Sequence, residues 1–110
     1  MRLLAFLSLL LILGAGREPV RAHSFYSYYC CQGDQDCQPI PSRSVRITAN
    51  GYLVTLSPNE HRMLGGESGP NSYLVPFREA KESPDGGYHA CILPFALTTM
   101  RCLYVPPAGS

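Results

Sequence analysis

Residues 44–56 read Ser44-Val-Arg-Ile-Thr-Ala49, Asn50-Gly51, Tyr52-Leu-Val-Thr-Leu56. Two runs of alternating, β-branched and apolar residues flank an Asn-Gly dipeptide, the strongest short-range hairpin signal, because a two-residue loop of this kind asks for φ > 0 at both central positions. A turn centred on Asn50-Gly51 sets a register of Ala49 opposite Tyr52, Ile47 opposite Val54 and Val45 opposite Leu56. One face of the pair is then apolar, and Arg46, Thr48 and Thr55 line the other.

Outward from this hairpin the β pattern continues. Ile40-Pro41-Ser42-Arg43 enters it as extended chain. Residues 57–72 hold Pro58-Asn59-Glu60-His61-Arg62 and Gly65-Gly66-Glu67-Ser68-Gly69-Pro70-Asn71 with no sustained period, so they predict a long loop with a single helical turn. In such a loop His61 is expected in solvent. Tyr73-Leu-Val-Pro76 predicts a short strand ended by Pro76, which cannot donate a ladder hydrogen bond, and Phe77 to Glu82 a helical turn. Ser83-Pro84-Asp85-Gly86-Gly87 is a turn by composition. Tyr88-His-Ala-Cys-Ile-Leu93 and Met100-Arg-Cys-Leu-Tyr-Val105 then form an antiparallel pair, closed by Pro106-Pro107. The fold class is mostly β: about five strands in a small disulfide-stapled antiparallel sheet or SH3-like barrel.

The N-terminal residues assign a compartment. Met1-Arg2 precedes the apolar run Leu3 to Leu13, and Val20-Arg21-Ala22 offers small residues at −3 and −1 of a signal-peptidase site. Eleven apolar residues rise only about 16 Å as a helix, against roughly 30 Å of hydrocarbon. The expectation is a cleaved signal helix over residues 1–22, a single β domain over 23–110, a periplasmic or secreted location and no stable membrane span after cleavage. Ala15 is an alternative exit. Of nine Lys/Arg and eight Asp/Glu in the 110-residue chain, Arg2, Arg17, Arg21 and Glu18 fall in the signal, so the exported part has six basic residues and seven acidic ones. That balance carries no electrostatic footprint for nucleic acid.

All five cysteines, Cys30, Cys31, Cys37, Cys91 and Cys102, lie in the exported part, where disulfides persist. Two bridges use four of them, and the spacing alone allows about fifteen arrangements. A bridge between the neighbours Cys30 and Cys31 is disfavoured by their Cα separation of about 3.8 Å. At least one bridge from the Cys30/Cys31/Cys37 cluster to Cys91 or Cys102 would tie the N-terminal arm to the final strands. A zinc site from Cys31, Cys37 and Cys91 with His89 or Cys102 is the competing reading, and it lacks any Cys-x-x-Cys. Asp34-Gln35-Asp36 resembles the start of a calcium loop without its downstream Gly and Glu.

Other chemistry is sparse. No Gly-x-Ser-x-Gly, His-Glu-x-x-His or phosphate loop occurs, so no enzymatic activity is expected. Phe25, Tyr26, Tyr28 and Tyr29 suit either a glycan- or peptide-binding face or the missing half of the core. With cleavage after Ala22, the amine and imidazole of His23 together with His89 would offer three nitrogens of the kind that suits Cu(II). On a strand, His89 shares a face with Cys91, so a bridge from Cys91 would draw the arm toward it.

Several of these segments together resemble a small exported alphaproteobacterial family of unassigned function. They are Ala22-His23-Ser24-Phe25-Tyr26, Cys30-Cys31 with Asp36-Cys37-Gln38-Pro39, Ser83-Pro84-Asp85-Gly86 leading into His89-Ala90-Cys91, and Arg101-Cys102-Leu103-Tyr104-Val105-Pro106-Pro107. The resemblance implies an exported bacterial protein, periplasmic, with no activity to inherit. Its function is thus expected to be that of a non-enzymatic binding or envelope-associated module, its partner an unidentified protein, envelope component or small molecule, with copper binding through His23 and His89 as the alternative.

Overall fold

The computed structural model describes residues 25–31 and 35–108. The signal segment, its cleavage site, His23 and Asp34 lie outside the described residues. Seven strands are present among them: β1 (Cys37–Ile40), β2 (Val45–Thr48), β3 (Gly51–Leu56), β4 (Asn71–Val75), β5 (Lys81–Glu82), β6 (Tyr88–Cys91) and β7 (Cys102–Val105). They form two small sheets, β1-β6-β7-β5 and β2-β3-β4. The mostly β architecture expected from the pattern is what the chain adopts. Two further strands were hidden in the sequence, β1 because prolines punctuate it and β5 because it is two residues long.

The hairpin forms, but in a different register. Val45 pairs with Val54, Ile47 with Tyr52 and Thr48 with Gly51, so the loop is Ala49-Asn50 rather than Asn50-Gly51. The reason lies on the far side of β3. Gly51 has φ +141°, and a Cβ there would overlap the Val75 carbonyl of β4. The glycine is thus consumed by a close approach between strands, and among the described residues no non-glycine residue has positive φ. Thr48 completes the turn: its hydroxyl donates to Gly51 O at 2.8 Å and accepts from Asn50 N–H at 3.2 Å. The shift is two residues, so the faces are preserved. Val54 and Leu56 still point inward and are buried, while Ile47 near the hairpin's end is 64% exposed.

β4 pairs antiparallel with β3, Tyr52 to Leu56 against Val75 to Asn71, and stops at Pro76 as its missing N–H requires. Residues 57–70 are tighter than a plain loop. Two 3₁₀ turns, Pro58–Glu60 and Arg62–Leu64, sit there, the first opened by a reciprocal capping box between Ser57 and Glu60. Gln38 of β1 clamps this segment, its amide donating to Glu60 O at 3.4 Å and accepting from Arg62 N–H at 2.8 Å. Tyr73 donates to Leu97 O at 2.7 Å and so holds the 94–100 connection against β4.

One shared core lies between the sheets: Ile40, Ala90, Ile92, Leu103 and Val105 from the first side meet Val54, Leu56, Leu64, Tyr73 and Val75. β6 and β7 are antiparallel, with His89 opposite Tyr104 and Cys91 opposite Cys102. β5 joins β7 in parallel, and Ser83 N–H extends the contact to Val105 O at 2.8 Å. All four β7 residues are buried. Alternation explains why one face is not enough: Leu103 and Val105 enter the shared core, while Cys102 and Tyr104 belong to a second cluster with Cys30, Cys37 and Cys91. The N-terminal arm covers this second face.

Gly51→Ala is expected to destabilise the protein by about 2 kcal/mol or more, combining φ strain with the overlap at Val75. Gly66→Ala, with nothing within 4 Å of an added Cβ, should stay within about 0.5 kcal/mol of wild type. Urea unfolding of the two variants checks both values.

Candidate functional site

Phe25, Tyr26, Cys30, Cys31, Cys37, Cys91, Cys102 and Tyr104, all from segments that carry the sequence resemblance, gather on one place, the face of β1-β6-β7 turned away from the shared core. Two disulfides fasten the arm there. Cys30 is bonded to Cys102 and Cys37 to Cys91, with sequence separations of 72 and 54. Both link the first cysteine cluster to the last strands, as expected, and Cys37 and Cys91 are direct cross-strand neighbours. Closing loops this long constrains the unfolded chain by about 4 kcal/mol per bridge on a chain-entropy account. Cys31 joins neither bridge and is half-buried.

Between the bridges and the Ser83–Gly87 turn, Phe25, Tyr26, His89 and Tyr104 make edge-on ring contacts, with centroids 4.7 to 5.4 Å apart for Phe25 to each of the other three. Such pairs add about 0.5–1.5 kcal/mol each beyond area burial. The Tyr104 hydroxyl accepts from Ser27 N–H at 2.8 Å and lies 3.7 Å from Cys30 Sγ, so the arm's backbone is tied as well as its side chains.

At the centre is a chain of three polar side chains. Tyr26 Oη lies 2.8 Å from His89 Nδ1, and His89 Nε2 lies 3.0 Å from both carboxylate oxygens of Asp85. An ionised carboxylate only accepts, so Nε2 carries the imidazole proton and Nδ1 accepts from the tyrosine. Asp85 is aimed by its own turn: its Oδ1 accepts from Gly87 N–H at 2.9 Å, Gly86 supplies φ +78°, and the buried Ser83 hydroxyl donates to Gly87 O at 2.7 Å. The His89 hydrogen bond and the Gly87 N–H hold the Asp85 carboxyl below its ordinary range. Burial, then the Asp85 charge, push the Tyr26 phenol up to about 12. The connectivity is that of a nucleophile, base and orienting carboxylate. His89 is only 3% exposed, and the phenol keeps its proton across the neutral range.

This geometry bears on each candidate named from sequence. His89 is in the cluster, with both ring nitrogens engaged, and ligating copper would require it to give up Tyr26 or Asp85. Among the described residues no three His, Cys, Asp or Glu side chains gather as a metal site. Cys37, Cys91 and Cys102, three of the zinc candidates, are in disulfides. Of the four arm aromatics, Phe25 and Tyr26 pack inward, whereas Tyr28 and Tyr29 are 83% and 60% exposed. Arg101 fixes Tyr29 from below: Nε donates to Tyr29 O at 2.9 Å and the guanidinium carbon stands 3.8 Å from the ring centroid.

His61 is not in solvent. It is 1% exposed, its Nε2 donating to Ala90 O at 3.0 Å and its Nδ1 accepting from Met63 N–H at 3.1 Å. The aperiodic loop around it gave no inward signal, and what holds it in is the hydrogen bond to the Ala90 carbonyl of β6. Tyr26 was missed as a partner of His89 for a related reason, since 63 positions of sequence separate the two. The turn composition marked Asp85 only as a turn former.

Stability should peak between about pH 7 and 10. Burial holds the His61 pKa below its ordinary 6.5. Below that pH the unfolded chain therefore binds the extra proton and folding stability falls, with Asp85 adding a further loss below its ordinary 3.8. Above pH 10.0 the unfolded phenol of Tyr26 ionises while the folded one does not, so stability falls again. Urea midpoints across pH 4–11 check this, and a midpoint that is highest near pH 5 would contradict it.

No protein-family model matches the chain, and neither a curated protein nor a solved structure matches it.

Proposed function

We propose that this chain is an exported, non-enzymatic binding module of the bacterial envelope, periplasmic in setting, whose contact surface is the tyrosine pair Tyr28 and Tyr29 with Arg101. The observation that carries this reading is the outward presentation of two adjacent tyrosines, 83% and 60% exposed, on a turn that is rigidly pinned. The pins are the Cys30–Cys102 bridge, the Ser27-to-Tyr104 hydrogen bond and the Arg101-to-Tyr29 hydrogen bond. Tyrosine offers a large amphipathic contact area with few torsions to freeze, and a pre-ordered turn lowers the entropy lost on binding. Envelope glycans and peptides present the ring faces, hydroxyls and apolar edges that such a surface stacks against.

Two further features support the setting. Two disulfides fit an oxidising compartment. Among the described residues no helix is long and apolar enough to cross a membrane. The non-enzymatic part of the proposal is supported by the Tyr26–His89–Asp85 chain, whose groups are spent on holding the arm beneath the exposed turn.

Co-sedimentation with isolated peptidoglycan sacculi and with envelope membrane vesicles tests the proposal. Wild type should be retained by one of these fractions, and Tyr28→Ala/Tyr29→Ala should lose retention by about tenfold or more, as loss of a tyrosine hot spot would give. Equal retention of the double variant, or no retention of wild type by either fraction, would overturn it. Circular dichroism of the variant should match wild type, since both side chains lie outside the core.

A further inference from the structure

A second candidate surface lies on the opposite side of the molecule, on the outer face of β2-β3-β4. An open groove of about 360 Å³ runs between the Ser42–Ser44 turn, β2, β3 and the Pro58–Glu60 turn, with Arg43, Arg46, Leu53, Thr55 and Glu60 on its walls. The volume is within the range of small-molecule sites. Its charges are unequal. Both Glu60 oxygens are committed inside the protein, Oε1 to Ser57 N–H at 3.0 Å and to the Ser44 hydroxyl at 3.1 Å, Oε2 to Arg43 at 3.1 Å. These donors hold the Glu60 carboxyl below its ordinary range, so it stays ionised and offsets Arg43. Arg46 is exposed on the same face, and among the described residues no carboxylate pairs with it. The groove is left with one surplus positive charge.

The register supplies the rest. Arg46 is directly opposite Leu53, and Leu53 is directly opposite Leu74. Cross-strand neighbours lie roughly 5 Å apart, so the face reads cation, aliphatic, aliphatic over about 10 Å, ending on a leucine that is 53% exposed. We infer that this groove binds a small monocarboxylate with an aliphatic body, the carboxylate forked onto Arg46 and the body laid across Leu53 toward Leu74. Arginine's planar donor fork matches a carboxylate. A single negative charge balances the groove, whereas a dianion such as phosphate would leave an excess beside Glu60.

Amide chemical shifts of the secreted protein test this with three probes: N-acetyl-L-leucine, the uncharged N-acetyl-L-leucinamide, and inorganic phosphate. The acetyl-leucine anion should shift the amides of Arg46, Leu53 and Thr55 saturably, with the two other probes at least tenfold weaker. Arg46→Gln should weaken acetyl-leucine binding about tenfold, while Arg78→Gln, a charge loss on the unrelated Phe77–Glu79 turn, should leave it unchanged. Four results would each overturn the inference: no saturable shift with acetyl-leucine, equal binding of the leucinamide, phosphate binding as tight as the carboxylate, or Arg46→Gln behaving as wild type.

Discussion

β7 can be buried on both faces only because an arm of the chain is held against it, and the holding is covalent. A strand whose alternate residues are Cys102, Leu103, Tyr104 and Val105 has no polar side to show to water. The shared core takes Leu103 and Val105. The other two need a cover, and the short segment that provides it has too little apolar area of its own to stay docked by burial alone in a domain of this size. Cys30–Cys102 and Cys37–Cys91 remove the entropy of bringing that cover from far away in sequence. Phe25 and Tyr26 then pack at short range.

Once the arm is tethered, the hydrogen-bond chain from Tyr26 through His89 to Asp85 sets its orientation. A buried imidazole with two satisfied nitrogens is a costly group to leave unpaired, so it selects one placement of the tyrosine and one conformation of the Ser83–Gly87 turn. The outcome reaches the surface. With Tyr26 facing inward, the next turn directs Tyr28 and Tyr29 outward, and Arg101, adjacent to a bridged cysteine, locks Tyr29 from beneath. A rigid aromatic surface is thus a by-product of how the second face of β7 is covered, which is why the proposed contact surface and the stapling belong to one account.

Much of the fold was legible in the sequence where the signal is local. Alternation and turn residues placed β2, β3, β4, β6 and β7, and the fixed preference of proline ended β4 at Pro76. The hairpin register was not legible, because Gly51 has two possible uses and the deciding one, its approach to Val75, belongs to a strand twenty residues on. The two-residue shift kept Val54 and Leu56 inward because strand faces repeat with period two. His61 failed for want of any period around it. The site was half legible: residue types in the arm and the His89–Cys91 spacing on one face pointed to the right neighbourhood, while Asp85 as the partner of His89 depended on a turn geometry that composition does not encode.

The central claim is that the arm is fastened to the closing strands by two defined bridges. Nonreducing proteolysis of the secreted protein followed by mass spectrometry addresses it most directly. The account predicts linked peptides pairing Cys30 with Cys102 and Cys37 with Cys91, with Cys31 in neither. A bridge that contains Cys31, or one that joins two cysteines within the Cys30, Cys31 and Cys37 cluster, would contradict it.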